Sequence, residues 1–192
     1  MTCQERCDLK GWTPTGTNIV DLLHQFADRL GSTDAGRRFS GAFDAAIQFR
    51  WVPTPIDPAE MAWFGTDSGT WACLTTGGGR VEVAEGDRRH EHDWRRCILV
   101  ESDEETLHAV LEGAVRPLDV YLGDRLHVSH FTVGGAAGQW ALALLAFGQP
   151  GRRGTGILPG RDEKRFQSYD YHGAVERRRQ ELLARVPKPV RG

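Results

Sequence analysis

Residues Ile98–Phe147 read ILVESDEETLHAVLEGAVRPLDVYLGDRLHVSHFTVGGAAGQWALALLAF. The apolar start predicts a strand. Ser102-Asp-Glu-Glu105 then carries a capping-box pattern, in which Ser102 caps a helix and Glu105, three residues on, reaches back to the free backbone N–H. The helix is expected to run to about Leu111, with Leu107, Val110 and Leu111 turned inward and Gly113 closing it. Pro117–Leu122 reads as a short helical or extended link. Gly123-Asp124 reads as a turn into a strand over Arg125–His130. Gly134–Phe147 is apolar enough for a buried helix, and Gly148-Gln-Pro-Gly151 ends it. This order predicts a sheet covered on one face by helices that enclose an apolar space.

The preceding residues fit the same plan. Asn18 is a suitable N-cap for a helix over Ile19–Leu30, where Ile19, Leu22, Leu23, Phe26 and Leu30 share one face and Gly31 is the stop. Gly41–Val52 alternates in part, placing Ile47, Phe49 and Trp51 on one side of a strand that Pro53, Pro55 and Pro58 terminate. Thr70–Thr76 is a further strand, joined by Gly77-Gly78-Gly79 to Arg80–Ala84. That triple glycine has no GxxxxGK[ST] lysine and no following helix, so it reads as a hairpin turn and not a phosphate loop. Gly86–Arg96 is polar and reads as a loop or an exposed edge.

Length and composition bound the rest. The 192 residues suit one domain with extensions, and 40 % hydrophobic with 26 % charged residues is ordinary for a globular chain. No run approaches the roughly 18 apolar residues of a membrane span. The N-terminal MTCQERCDLKGW lacks the apolar core of a secretory signal, so a cytoplasmic location is expected. Cys3 and Cys7 are closely spaced, but no second Cys or Cys/His pair completes a zinc pattern. Cys73 and Cys97 fall inside strand-like runs and read as small core hydrophobes. Twenty-one of the twenty-four basic residues are Arg, a usage that suggests a GC-rich, bacterial genome.

The net charge of −2 hides a division. Residues 151–192 hold eleven Lys/Arg and five Asp/Glu, against thirteen and twenty-one in residues 1–150. A basic tail of this kind reads as a solvated helix over Ala174–Val186 docked on the acidic body, as a transient contact with a membrane surface, or as a homodimer contact. No nucleic-acid partner is expected. The organisation is then a loose leader over 1–17, a domain over 18–148 and a basic extension over 149–192.

Taken together, Ser102-Asp103-Glu104-Glu105-Thr106-Leu107 leading to Leu111-Glu112-Gly113, followed by the Gly123-Asp124-Arg125-Leu126-His127-Val128 strand and a closing apolar helix, resembles the sterol carrier protein 2 (sterol-transfer) family over roughly residues 18–148. The resemblance implies an α+β fold: a five-stranded, mostly antiparallel sheet with helices over one face around an apolar tunnel. It implies non-covalent binding or transfer of an apolar small molecule such as a lipid, sterol, terpenoid or polyketide, and no cofactor. The charged loop at 85–96 and the tail of about forty residues depart from the family pattern.

Side chains expected to line such a space are Trp51, Trp63, Trp71, Leu111, Phe131, Trp140, Leu144 and Phe147, because large amphipathic and aliphatic groups suit an apolar wall. Core filling would explain the same residues. Trp140, Leu144 and Phe147 fall on one stripe of the closing helix. Two alternatives remain open. An enzyme of a specialised-metabolite pathway would use the space as an active site for acid/base-assisted cyclisation or isomerisation, with His130, Asp119 and Tyr121 as candidate proton carriers. An interaction adaptor would work through the C-terminal helix. His90 and His92 share a face if extended, but the surrounding arginines disfavour a dication, and no metal is expected. The sequence contains no nucleophile elbow, HExxH, Walker loop or dinucleotide fingerprint.

Overall fold

The computed structural model describes residues 9, 11–41, 44–56, 62, 68–78, 80–93, 96–130 and 136–150. The chain divides into two compact units, Met1–Ile56 with Asp67–Ile157, and Asp57–Thr66 with Leu158–Gly192. All the helices and strands named below belong to the first. The expected extension over 149–192, with its tail helix, lies outside the described residues except for Gln149 and Pro150.

Five strands form one sheet: β1 (Ala45–Val52), β2 (Thr70–Gly77), β3 (Arg80–Glu85), β4 (Cys97–Asp103) and β5 (Leu126–His130). Their order is β3-β2-β1-β4-β5. The hairpins β1–β2 and β2–β3 are antiparallel, as is β4–β5, while β1 and β4 run parallel at the centre. The expected α+β class and mostly antiparallel five-stranded sheet are therefore observed.

Among the described residues, five α-helices accompany the sheet: α1 (Ile19–Gly31), α2 (Asp34–Ser40), α3 (Glu104–Leu111), α4 (Pro117–Leu122) and α5 (Ala136–Phe147). α1 forms where the apolar stripe predicts it, and Asn18 caps it by accepting a hydrogen bond from the Asp21 N–H. Its inward face, Ile19, Leu22, Leu23, Phe26 and Leu30, is buried. α2 has no counterpart in the sequence reading. Its seven residues, DAGRRFS, are too few to show a 3.6-residue period.

The start of α3 corrects the expected cap. β4 continues through Ser102, and the cap is Asp103, whose carboxylate accepts from both the backbone N–H and the hydroxyl of Thr106 at 2.8 Å. Ser102 instead donates its hydroxyl to the Arg125 carbonyl at 3.0 Å, tying β4 to the turn before β5. A carboxylate is the stronger acceptor at a helix N-terminus, where the dipole also favours it. In the turn after α4, the left-handed position falls on Asp124 (φ 58°) and not on Gly123. Asp is among the few non-glycine residues that tolerate it.

The helical layer closes where three elements meet. Arg29 of α1 donates to the carbonyls of Gly148, just past α5, and of Leu111, at the end of α3. At Gly148 the chain passes so close to α1 that a β-carbon would sit 2.1 Å from Cε2 of Phe26. Gln149 then donates its amide to the Val110 and Val115 carbonyls. The break that the Gly148-Gln-Pro sequence predicts is thus also the point at which α5 is fastened to α1 and α3.

Candidate functional site

Strand register sorts the sheet side chains into two chemically distinct faces. Ile47, Phe49 and Trp51 of β1 pair with Leu74, Ala72 and Thr70 of β2 and with Ile98, Val100 and Ser102 of β4. Val128 and Leu126 of β5 and Val83 and Val81 of β3 continue this face. It is almost wholly apolar, and its central members are buried. On β3 the valines of this face are half-buried while Glu82 and Ala84, pointing the other way, are exposed, so the apolar face is the covered one at that edge.

α5 contributes the apolar counterpart. It carries no charged residue from Ala136 to Phe147, and Trp140, Ala141, Leu142, Leu144 and Leu145 are buried on several sides of it. A helix that is apolar all round is one enclosed by neighbours. It packs beside β4, β5, α4 and α2. Among the expected lining residues, Trp51, Leu111, Trp140 and Leu144 are buried and Phe147 is half-buried. Trp63 and Phe131 lie outside the described residues.

Trp71 is buried as well, but on the opposite face from Trp51, because it pairs with Arg50. The two tryptophans therefore do not share one wall. This second face is polar where it is most deeply buried. Trp71, Arg50, Glu101 and His127 stand in one cross-strand row over β2, β1, β4 and β5. Arg50 and Glu101 pair at 2.8 Å with side chains 1 % and 0 % exposed. Arg50 also donates its Nε–H to the Ser68 carbonyl at 2.7 Å. The added bond to Ser68 offsets part of the cost of desolvating the guanidinium.

The charged loop after β3 folds onto this face. Gln48, fully buried, donates its amide to the Ala72 and Gly86 carbonyls and accepts from the Arg88 N–H. Arg89 places its guanidinium carbon 4.4 Å from the centroid of Trp71, a cation–π distance. Asp87 holds Arg89 in place through a bond of 2.6 Å, and the same bond keeps the Asp87 carboxyl below its ordinary value. The loop's dense charge is thus partly consumed in covering the sheet.

The imidazoles expected to share a strand face do not, because Arg89–Glu91 forms a single 3-10 turn. His90 is exposed, while His92 Nε2 lies 3.7 Å from the Cys73 thiol. Burial pushes Cys73 up to about 12 and raises Cys97 as well, so both remain thiols, as small core groups would. No cluster of His, Cys, Asp or Glu among the described residues could hold a metal ion.

Two of the candidate proton carriers stand on α4 and the third on β5. Asp119 accepts two bonds from the Arg116 guanidinium at 2.6 and 2.7 Å within α4, and Tyr121 is half-buried on the same helix. His130 ends β5, paired with Ile98. Gln48, Arg50 and Glu101 are not singled out by the sequence reading. Alternation in β1 makes Gln48 and Arg50 read as solvent-facing, and only the Glu in the otherwise apolar ILVE run hinted that a charge would be buried.

These features define an α+β open-sheet domain with an apolar, helix-covered face and a polar far face. No family model matches the chain, and no curated protein matches it. Solved structures are similar to it. One is a crystal structure of sterol carrier protein 2, at 19 % identity and TM-score 0.45, covering 68 % of this chain and 95 % of that one. Another is apo sterol carrier protein 2 from Yarrowia lipolytica, at 13 % identity and TM-score 0.45, covering 69 % and 90 %. A third is the solution structure of a conserved hypothetical protein from Thermus thermophilus, at 18 % identity and TM-score 0.42, covering 70 % and 90 %. No helix among the described residues is long and apolar enough to cross a membrane.

Proposed function

We propose that this protein binds an apolar small molecule without covalent chemistry, holding it between the apolar sheet face and the helical layer. The observation that carries this reading is the segregation of the two faces. Arg50, Glu101, Gln48 and His127 are all on the far side of the sheet. A molecule admitted on the helix side would meet Trp51, Trp140, Leu144 and their apolar neighbours.

The sequence resemblance to sterol carriers over residues 18–148 points the same way, toward a lipid, sterol-like, terpenoid or polyketide ligand in a tunnel. Affinity would come from burying ligand surface at about 25 cal/mol per Å2, less the cost of immobilising the molecule. One or two polar groups would set its orientation.

Native mass spectrometry of the purified protein tests this. A co-purified mass of lipid size, lost on solvent extraction and excluded by Leu144→Trp, is the expected result. An extracted protein that takes up no fatty acid, sterol or polyprenoid would refute it. Turnover of such a molecule, abolished by His130→Ala with binding retained, would replace the carrier by the enzyme. The Arg116 bonds on Asp119 leave that carboxylate poorly placed for the role.

A further inference from the structure

At the junction of α1, α3 and α5, buried polar atoms remain unmatched. Gln149, 3 % exposed, spends its amide N–H groups on the Val110 and Val115 carbonyls at 2.8 and 2.6 Å. Its Oε1 is buried and has no hydrogen-bond partner among the described residues. The two carbonyls fix which way the amide points, because a flipped group would set its oxygen against both of them. Arg29 reaches the same junction from α1. It donates its Nε–H to the Gly148 carbonyl at 2.6 Å and a terminal N–H to the Leu111 carbonyl at 3.4 Å. Gln149 and Arg29 thus bond successive carbonyls, those of Val110 and Leu111, at the end of α3.

Arg29 is half-buried, and no carboxylate pairs with it among the described residues. Loss of water outweighs the attraction of neighbouring Asp28 and holds the guanidinium below its ordinary value. Its other N–H groups are donors without a partner among the described residues. The junction also adjoins apolar side chains of the helical layer. Gly148 lies against the Phe26 ring, on the inward face of α1, and its N–H bonds the Leu144 carbonyl. Leu111 and Leu144, both buried, are among the side chains expected to line the apolar space.

An unused acceptor and unused donors therefore meet at one junction, and few chemical groups suit both. A hydroxyl does, since it donates one hydrogen bond and accepts others. A carboxylate would pair with Arg29 but turn its lone pairs on Gln149 Oε1. An amine would serve Gln149 but bring a second positive charge to Arg29. We infer that this junction seats an uncharged hydroxyl head on the apolar ligand, which donates to Gln149 Oε1 and accepts from Arg29. The inference rests on the binding reading above and narrows its ligand to long-chain alcohols in preference to the corresponding acids.

Displacement of Nile red from the solvent-extracted, full-length protein by dodecanol, dodecanoate and dodecyl methyl ether tests this. The pH is held at about 8, where the acid is ionised. The ether keeps an acceptor but has no proton to give Gln149. Dodecanol should bind about tenfold more tightly than either of the others, the scale of one hydrogen bond left unmade in a buried site. Leu144→Trp should exclude all three, and Gln149→Met should erase the advantage of the alcohol over the ether. Should that variant fail to fold, the carbon-13 shift of the native Gln149 side-chain carbonyl decides, moving with dodecanol and not with the ether. Equal affinities for alcohol and ether, the result if water alone serves these atoms, overturn the inference and leave the binding reading intact. Tighter binding of dodecanoate, or dodecanol still bound by Leu144→Trp, overturns it too. Uptake of none of the three also overturns it, and sterol or polyprenoid uptake by the same sample then tells whether the binding reading falls with it.

Discussion

Arg50 on β1 and Glu101 on β4 are directly opposed across the single parallel strand pair of the sheet, and their charges meet at 2.8 Å with almost no solvent exposure. They anchor the polar face that separates this sheet into two environments. Desolvating both charges costs about as much as their attraction returns, so the pair specifies an arrangement more than it stabilises one.

Removing one partner should therefore be far worse than removing both. Arg50→Met or Glu101→Leu alone should cost about 3–5 kcal/mol, because each leaves an uncompensated buried charge. The double variant should recover most of that loss. Urea unfolding of the four proteins in a double-mutant cycle measures the coupling, and additive single costs would contradict the assignment.

Gly148 should not accept a β-carbon while Phe26 keeps its ring. Gly148→Ala places a methyl 2.1 Å from Phe26 Cε2, and forcing such overpacking costs typically about 1–3 kcal/mol. Phe26→Leu removes the ring edge, so the same alanine should cost less in that background. Thermal unfolding of both pairs of proteins reads the difference.

The cap of α3 distinguishes Asp103 from Ser102. Asp103→Ala should destabilise by about 1–2 kcal/mol, the upper range for lost N-caps, whereas Asp103→Asn keeps the acceptor for the Thr106 N–H and should cost less. Ser102→Ala removes a single neutral hydrogen bond to Arg125, about 1 kcal/mol. A larger loss at Ser102 than at Asp103 would restore the capping role to the serine.

Cys73 should resist thiol reagents at mildly alkaline pH in the folded protein and react promptly once urea unfolds it. Its folded value is pushed to about 12 from an ordinary 9.0. Between those values the unfolded chain gives up the proton that the folded chain keeps. The folded state then binds more protons, so Cys73 makes stability fall as pH rises through that window. Rapid labelling of native Cys73, assigned by peptide mapping, would contradict its burial.

Much of the architecture was readable because it rests on local periodicity. The stripe of α1, the alternation of Ile47, Phe49 and Trp51, and the apolar run of α5 each follow from burying one face, or all faces, of a regular element. The short α2 escaped because seven residues carry too little pattern. The cap shifted from Ser102 to Asp103 because the strand's pairing with β1 extends through both residues and its pairing with β5 reaches Ser102, and helix-start signals do not weigh strand pairing.

The sequence by itself determined the strands and the helices α1, α3 and α5, their order, and the apolar character of α5, since backbone geometry and side-chain hydrophobicity act over neighbouring residues. Only the tertiary structure decided which side of the sheet each residue faces relative to its distant partners. β1 and β4 pair across a gap of more than forty residues, and that pairing aligns Trp71, Arg50, Glu101 and His127 in one row. It also parts Trp71 from Trp51. Opposed charges become a buried pair only when long-range packing removes the water around both, and no local pattern records where that will happen.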